Sequence, residues 1–220
     1  MTQLHIDFVS DVACPWCAIG LNGLEEALRR TAGTLQANIV FQPFELNPDM
    51  PAEGENLDEH IGRKYGATAA QMAESRRAIR DRAAGVGFEF NSSASSRIYN
   101  TFDAHRLLYW AGTLDAARQR ALKHALFMAN FGNDAVISDV GVLAALAEVA
   151  GLDGQQAREV LVSGRYAEAV RAAEALWQAR GINAVPGMVI NGRWLISGGQ
   201  PPEILEQALR QIADEVSRQA

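Results

Sequence analysis

The chain has two cysteines, and they stand together in the run Cys14-Pro15-Trp16-Cys17. An alternating apolar segment, Leu4-His5-Ile6-Asp7-Phe8-Val9, leads toward them, and Leu21, Leu24, Ala27 and Leu28 follow at helical spacing. The pair is therefore expected where a strand passes into a helix. Pro15 would occupy the first helical position, where the N–H that proline lacks has no partner to lose. A sulfur at a helix N-terminus meets unpaired N–H groups and the positive end of the dipole, and both favour an anion. Cys14 is thus read as the attacking thiolate of thiol–disulfide exchange. Cys17, one turn further and more shielded, is read as the thiol that resolves the mixed disulfide.

Zinc binding or inert burial are the other fates of such a pair. A zinc site needs further ligands, and there is no second Cys-x-x-Cys. His5, His60, His105 and His124 show no paired metal spacing, so neither a metal nor a bound cofactor is expected. A formal net charge of -6 and a pI near 5.3 provide no basic field for phosphates or anionic lipid, which argues against nucleic acid or membrane as partner. The one basic cluster, Arg76, Arg77, Arg80 and Arg82, is interleaved with Glu74 and Asp81 and reads as a solvated helix face. The first thirteen residues carry no Lys or Arg, and Asp7 and Asp11 interrupt their apolar run, unlike a secretory signal. No uncharged apolar run reaches the roughly 18 residues of a membrane span. The expected location is cytoplasmic and reducing, where Cys-x-x-Cys is more often catalytic or metal-binding than structural.

The surrounding pattern is strand, helix, strand, with the second strand at 37–42 closed by Pro43 and the Asn47-Pro48 turn. Gly20 and Gly23 weaken the intervening helix. Beyond the Pro- and Gly-rich stretch at 50–55 the periodicity becomes helical, with helices predicted at 56–65, 68–84, 96–111, 114–131, 139–150, 154–162 and 165–180. Val170, Ala173, Leu176 and Trp177 mark one side of the last of these, which is expected to pack on a sheet. Strand signal returns at 188–196 around Asn191-Gly192, a pair suited to a type I′ hairpin turn. Pro201 and Pro202 then open a closing amphipathic helix. Residues 1–50 and 181–220 form one unit, with 165–180 packed on it, and 51–164 form a helical insertion. Val185-Pro186, just before the returning strand, is a candidate cis peptide.

Three stretches carry a resemblance: Ser10-Asp11-Val12-Ala13-Cys14-Pro15-Trp16-Cys17-Ala18-Ile19-Gly20, then Asn100-Thr101-Phe102-Asp103-Ala104-His105-Arg106-Leu107, then Val185-Pro186 with Asn191 to Pro201. Together the chain resembles the FrnE-like branch of the DsbA family. The resemblance implies an α/β thioredoxin-like fold with a large all-helical insertion domain, a Cys14–Cys17 redox pair, and a cis Pro186 facing Cys14. It implies that the Val185 backbone offers itself to an extended substrate. Gly199 and Gln200 would border the same cleft, and Trp16 would tune the thiolate. His105 is a candidate for lowering a thiol pKa from across the cleft. Relatives often carry bulky residues where this chain has Ala18 and Gly187. Many thioredoxin-like proteins bury an acid six residues before the first cysteine, where Phe8 stands here. Asp7 and Asp11 are the nearby acids, and Asp11 reads equally as a helix-start cap.

The expected activity is disulfide exchange with thiol- or disulfide-containing proteins or small molecules, with glutathione as a candidate co-substrate and a homodimer left open. Oxidase, reductase and isomerase directions all remain. A competing reading comes from kappa-class glutathione transferases and chromene-carboxylate isomerases, which share the helical insertion but generally carry serine at the position of Cys14. That reading would make the chain a glutathione-dependent transferase or isomerase of a small aromatic or polyketide substrate. A third is a peptide-binding chaperone module with incidental cysteines.

Overall fold

A computed structural model of the chain describes residues 1–219. β1 (Thr2–Ser10) lies parallel to β2 (Leu35–Pro43) on one side and antiparallel to β5 (Gly187–Ile190) on the other. β6 (Trp194–Ser197) completes a sheet of order β2-β1-β5-β6. Asn191 and Gly192 take φ of 50° and 66°, as a type I′ turn requires, and the Asn191 carboxamide accepts the His5 N–H at 2.8 Å. The register sets Val9 opposite Gly187, so Val185 and Pro186 lie beside the loop that carries the chain from β1 into the helix of the cysteines.

α1 (Pro15–Arg30) and α9 (Pro202–Gln219) pack against each other, and Leu4, Ile6 and Phe8 of β1 join Leu21, Leu24, Leu205 and Leu209 in one apolar core. Val9 points the other way, into a smaller cluster with Phe44, Ile182 and Trp177 of α8 (Ala167–Ala179). α8 thus packs on the sheet through Val170 and Trp177, whereas Leu176 is left exposed.

Between β2 and α8 the chain forms a two-residue pair, β3 (Glu55–Asn56) with β4 (Arg97–Ile98), and α2 (Leu57–Tyr65), α3 (Ala69–Ala84), α4 (Phe102–Leu114), α5 (Ala116–Phe127), α6 (Val140–Val149) and α7 (Gly154–Val162). Two predicted helices are redrawn. The one expected at 96–111 starts six residues later. Asn100 accepts the Phe102 N–H at 2.9 Å and donates to the Met50 carbonyl at 3.0 Å, so its side chain competes with helical bonding and leaves Arg97 free to pair in β4. The one expected at 114–131 is divided. Leu114 ends α4, Asp115 is extended with φ -162° and accepts the Arg118 N–H at 2.8 Å, and Met128–Gly132 continues α5 as a π-helical turn.

α4 is fixed by Arg106, which is buried against α7. Its guanidinium donates to the carbonyls of Val160, Leu161 and Arg165 and pairs with Asp103. These bonds satisfy carbonyls that would otherwise lack partners at the end of α7, and they set the rotation of α4 on which His105 depends. Replacing Arg106 by leucine should lower unfolding free energy by about 3 kcal/mol, read from urea denaturation. A loss no larger than that of an ordinary surface substitution would show that α4 is held by other contacts.

Candidate active site

Pro15 begins α1, and Cys14 is its N-cap residue, with φ -97° and ψ 113°. A serine at this position would turn its hydroxyl onto the first helical N–H groups, whereas the Cys14 sulfur makes no such cap bond. The turn that leads in is closed by the Cys14 N–H donating to the Asp11 carbonyl at 3.2 Å, and the Cys17 N–H donates to the Cys14 carbonyl at 3.0 Å. The two cysteines approach to 3.6 Å, and both are free thiols. Cys14 is 5% exposed and Cys17 not at all. The Cys14 thiol donates to the Val185 carbonyl at 3.7 Å, across a cis Val185-Pro186 bond.

Such close packing needs small residues at two points. A Cβ on Gly20 would stand 3.0 Å from the Pro186 ring, so the glycine that weakens α1 as a helix is what admits the proline against it. A Cβ on Gly199 would stand 2.9 Å from the Trp16 carbonyl, so the loop after β6 rests directly on the intervening dipeptide. Gln200 follows this loop, but its amide turns back to the Ser197 carbonyl at 2.8 Å. Trp16 is 36% exposed at the rim.

Asp11 is buried, and its carboxylate accepts the N–H groups of Ala13 at 3.1 Å and Leu46 at 2.7 Å. It therefore fastens the loop before Cys14 to the segment after β2. His105, also buried, brings Nε2 to 3.4 Å from the Asp11 carboxylate. Burial pushes Asp11 up, but the hydrogen bond and charge of His105, with the two backbone donors, outweigh it and hold the carboxyl below its ordinary range. His105 thus meets Asp11. Asp7 is engaged elsewhere, by Gln42 at 2.7 Å.

Three features escape a reading of the sequence motifs. Lys123 on α5 is completely buried, with its ammonium 4.8 Å from the Phe127 ring. Burial pulls it down to about 8, against the opposing pull of Cys17, Asp11 and Cys14. The signal was present: Gln119, Leu122, Lys123 and Leu126 recur on one helical stripe, and all four are buried. Asn130, on the π-helical turn, donates to the Val12 carbonyl at 3.1 Å and so braces the loop before Cys14 from the other side. Glu45, next to the Leu46 that feeds Asp11, is buried and pushed to about 7 by burial and by the Glu174 carboxylate, against the Arg171 guanidinium paired with both.

Cys17 is driven well above the ordinary thiol range by burial first, then by the hydrogen bond and charge of Cys14; the Lys123 ammonium acts in the opposite sense. The arrangement is therefore asymmetric. One sulfur sits at the helix tip beside a cavity, and the other is held protonated behind it.

The family profile described as DSBA-like thioredoxin domain matches residues 5–210. A probable DsbA oxidoreductase of Streptomyces coelicolor is 32% identical and superposes with a TM-score of 0.86, over 94% of this chain and 89% of its own. A 2-hydroxychromene-2-carboxylate isomerase shares 17% identity with a TM-score of 0.72, over 98% and 99% of the two chains. A cytosolic disulfide reductase of Pseudomonas aeruginosa, DsbM, shares 19% identity with a TM-score of 0.62, over 94% and 99%. At these lower identities the likeness is one of fold, and one fold serves an isomerase and a reductase alike. The chemistry must accordingly be argued from the site.

Lys123 offers a test of the site's electrostatics. Its folded value, about 8, lies below the ordinary 10.5, so the unfolded chain holds that proton more tightly. Folding at neutral pH must then keep an ammonium in apolar surroundings, and stability should rise as pH passes from about 8 toward 10.5. Lys123→Met removes the group and with it this rise. Unfolding curves of the two proteins should converge over that interval; identical pH dependence in both would show that the amine titrates normally.

Proposed function

This chain belongs to the DSBA-like thioredoxin domain family and is a disulfide oxidoreductase of it, and we propose that Cys14 attacks while Cys17 resolves. The single observation that carries the assignment of roles is the asymmetry of the pair: two sulfurs within 3.6 Å, one on the N-cap of α1 and one fully buried in its first turn.

The Cys14 thiolate attacks one sulfur of a substrate disulfide, which breaks and releases its first thiolate. As the attacking sulfur gives up its proton, the Val185 carbonyl loses its bond from Cys14 and becomes available to a substrate N–H. Once Cys14 is tied up in the mixed disulfide, its charge no longer holds Cys17 protonated. The Cys17 proton passes to the released substrate thiolate, and the Cys17 anion, favoured by the Lys123 ammonium, attacks the Cys14 sulfur and expels the second thiolate. The protein ends with a Cys14–Cys17 disulfide, and the substrate has gained two electrons. Run in reverse, the same steps donate a disulfide.

Glutathione enters this reading as a thiol co-substrate that reopens the Cys14–Cys17 disulfide, not as a resident cofactor. Residues 1–50 and 181–220 act as the redox unit, with the helices of 51–164 as its roof. A reducing, cytoplasmic setting suits a pair that must stay as two thiols to begin the cycle. Among the described residues no helix is long and apolar enough to cross a membrane.

Cys17→Ser should accumulate a stable mixed disulfide when mixed with native, disulfide-linked insulin, visible as added mass that dithiothreitol removes. Cys14→Ser should form none and should lose catalysed insulin reduction by about 100-fold or more. Adduct trapped on Cys17 in the Cys14→Ser protein would reverse the assignment.

A further inference from the structure

A cavity of about 440 Å³ opens beside Cys14, between the start of α1 and the helices α2 and α3. Leu57 and Ile61 on α2, and Met72 and Ile79 on α3, fall at helical spacings and line the cavity, where α3 also packs against α1 and α2. Phe90 and Phe131 close the far wall, and Trp16 stands at the rim. Apolar faces of this kind normally find protein to cover them. Here they surround a volume in the range of small-ligand sites, with a reactive sulfur at one end.

Tyr65, Gln71 and Ser75 of the wall are exposed, and its more buried polar side chains are nearly all committed. His60 binds Glu55 through Nδ1 at 2.9 Å and Asn47 through Nε2 at 3.0 Å, and Arg76 is paired with Asp58. Ser92 is the exception: it lines the cavity, is 8% exposed, and its hydroxyl has no hydrogen-bond partner. A buried hydroxyl left unmade is unfavourable by about 1–3 kcal/mol, and a ligand atom would relieve it. No carboxylate lines the space and the charge of Arg76 is already matched by Asp58, so the several charges of a peptide-like disulfide are poorly matched there.

We propose that this cavity is the substrate site for a low-molecular-weight disulfide with an uncharged, apolar, ring-sized body. That body lies against α2 and α3, one polar atom meets the Ser92 hydroxyl, and one sulfur faces Cys14. The proposal rests on the exchange reading above and narrows its substrate. In the reaction the Cys14 thiolate forms a bond to the nearer substrate sulfur and the substrate S–S bond breaks. Cys17 then displaces the retained half, so two substrate thiols leave as the Cys14–Cys17 pair is oxidised. An external thiol restores the pair.

The test is single-turnover oxidation of the reduced protein by 4,4′-dithiodipyridine and, separately, by 2-hydroxyethyl disulfide, which is too small and polar to use the walls. Oxidation by the pyridyl disulfide should saturate. Ile61→Trp, which fills the cavity from a half-buried position, should lower the preference for the pyridyl over the hydroxyethyl disulfide about tenfold, and Ser92→Ala about fivefold. Retention of the wild-type preference in both variants, or a strictly linear rate with the pyridyl disulfide, overturns the site. Calorimetric titration with 1,2-bis(4-pyridyl)ethane, in which carbons replace the sulfurs, separates binding from exchange. Exchange with no binding of this analogue refutes the cavity, whereas binding with no exchange upholds the cavity and refutes the disulfide chemistry.

Discussion

The first turn of α1 is clamped from several sides, and the placement of both sulfurs follows from that clamp. The Pro186 ring packs where Gly20 has no side chain, Gly199 rests on the Trp16 carbonyl, and Asn130 and Asp11 hold the loop before Cys14. Each contact comes from a different part of the chain, so the helix tip cannot shift without disturbing the sheet, the hairpin loop and the inserted helices together. Close packing of this kind is what makes a site reproducible to a fraction of an ångström. It also explains why helix propensity is sacrificed at Gly20: an alanine would favour α1 in isolation but would collide with Pro186 in the fold.

The charges around the clamp divide labour between the sulfurs. The low-dielectric interior that holds Cys17 protonated also pulls the Lys123 amine down to about 8. Asp11, kept ionised by His105 and two backbone N–H groups, balances this cation within the interior. A disulfide formed at Cys14 removes one negative charge from the set and so changes the balance for Cys17. The proposed order of attack and resolution follows from this placement of the charges.

Much of the scaffold is legible in the sequence because short-range physics dictates it. Cys-Pro-x-Cys after an alternating strand, Asn191-Gly192 between two apolar triplets, and Pro202 opening an amphipathic helix each specify their own conformation. The β3–β4 pair and the π-helical turn are not legible in this way. Two residues carry no periodicity, and the turn depends on Asn130 reaching the Val12 carbonyl far away in sequence. The closeness of the two cysteines could be read directly from their spacing. The partner of His105 could not, since contact with Asp11 depends on the rotation that Arg106 imposes on α4. Lys123 lay hidden for a different reason: a lysine in an apolar stripe is ordinarily taken to reach solvent, and only the fold shows this one enclosed.

In the proposed exchange one sulfur of the pair is poised to react while its neighbour is withheld. Brief treatment of the fully reduced protein with substoichiometric iodoacetamide at neutral pH, followed by peptide mapping, reads this directly. Carbamidomethylation of Cys14 with Cys17 untouched is the expected result. Equal labelling of the two, or preferential labelling of Cys17, would contradict it.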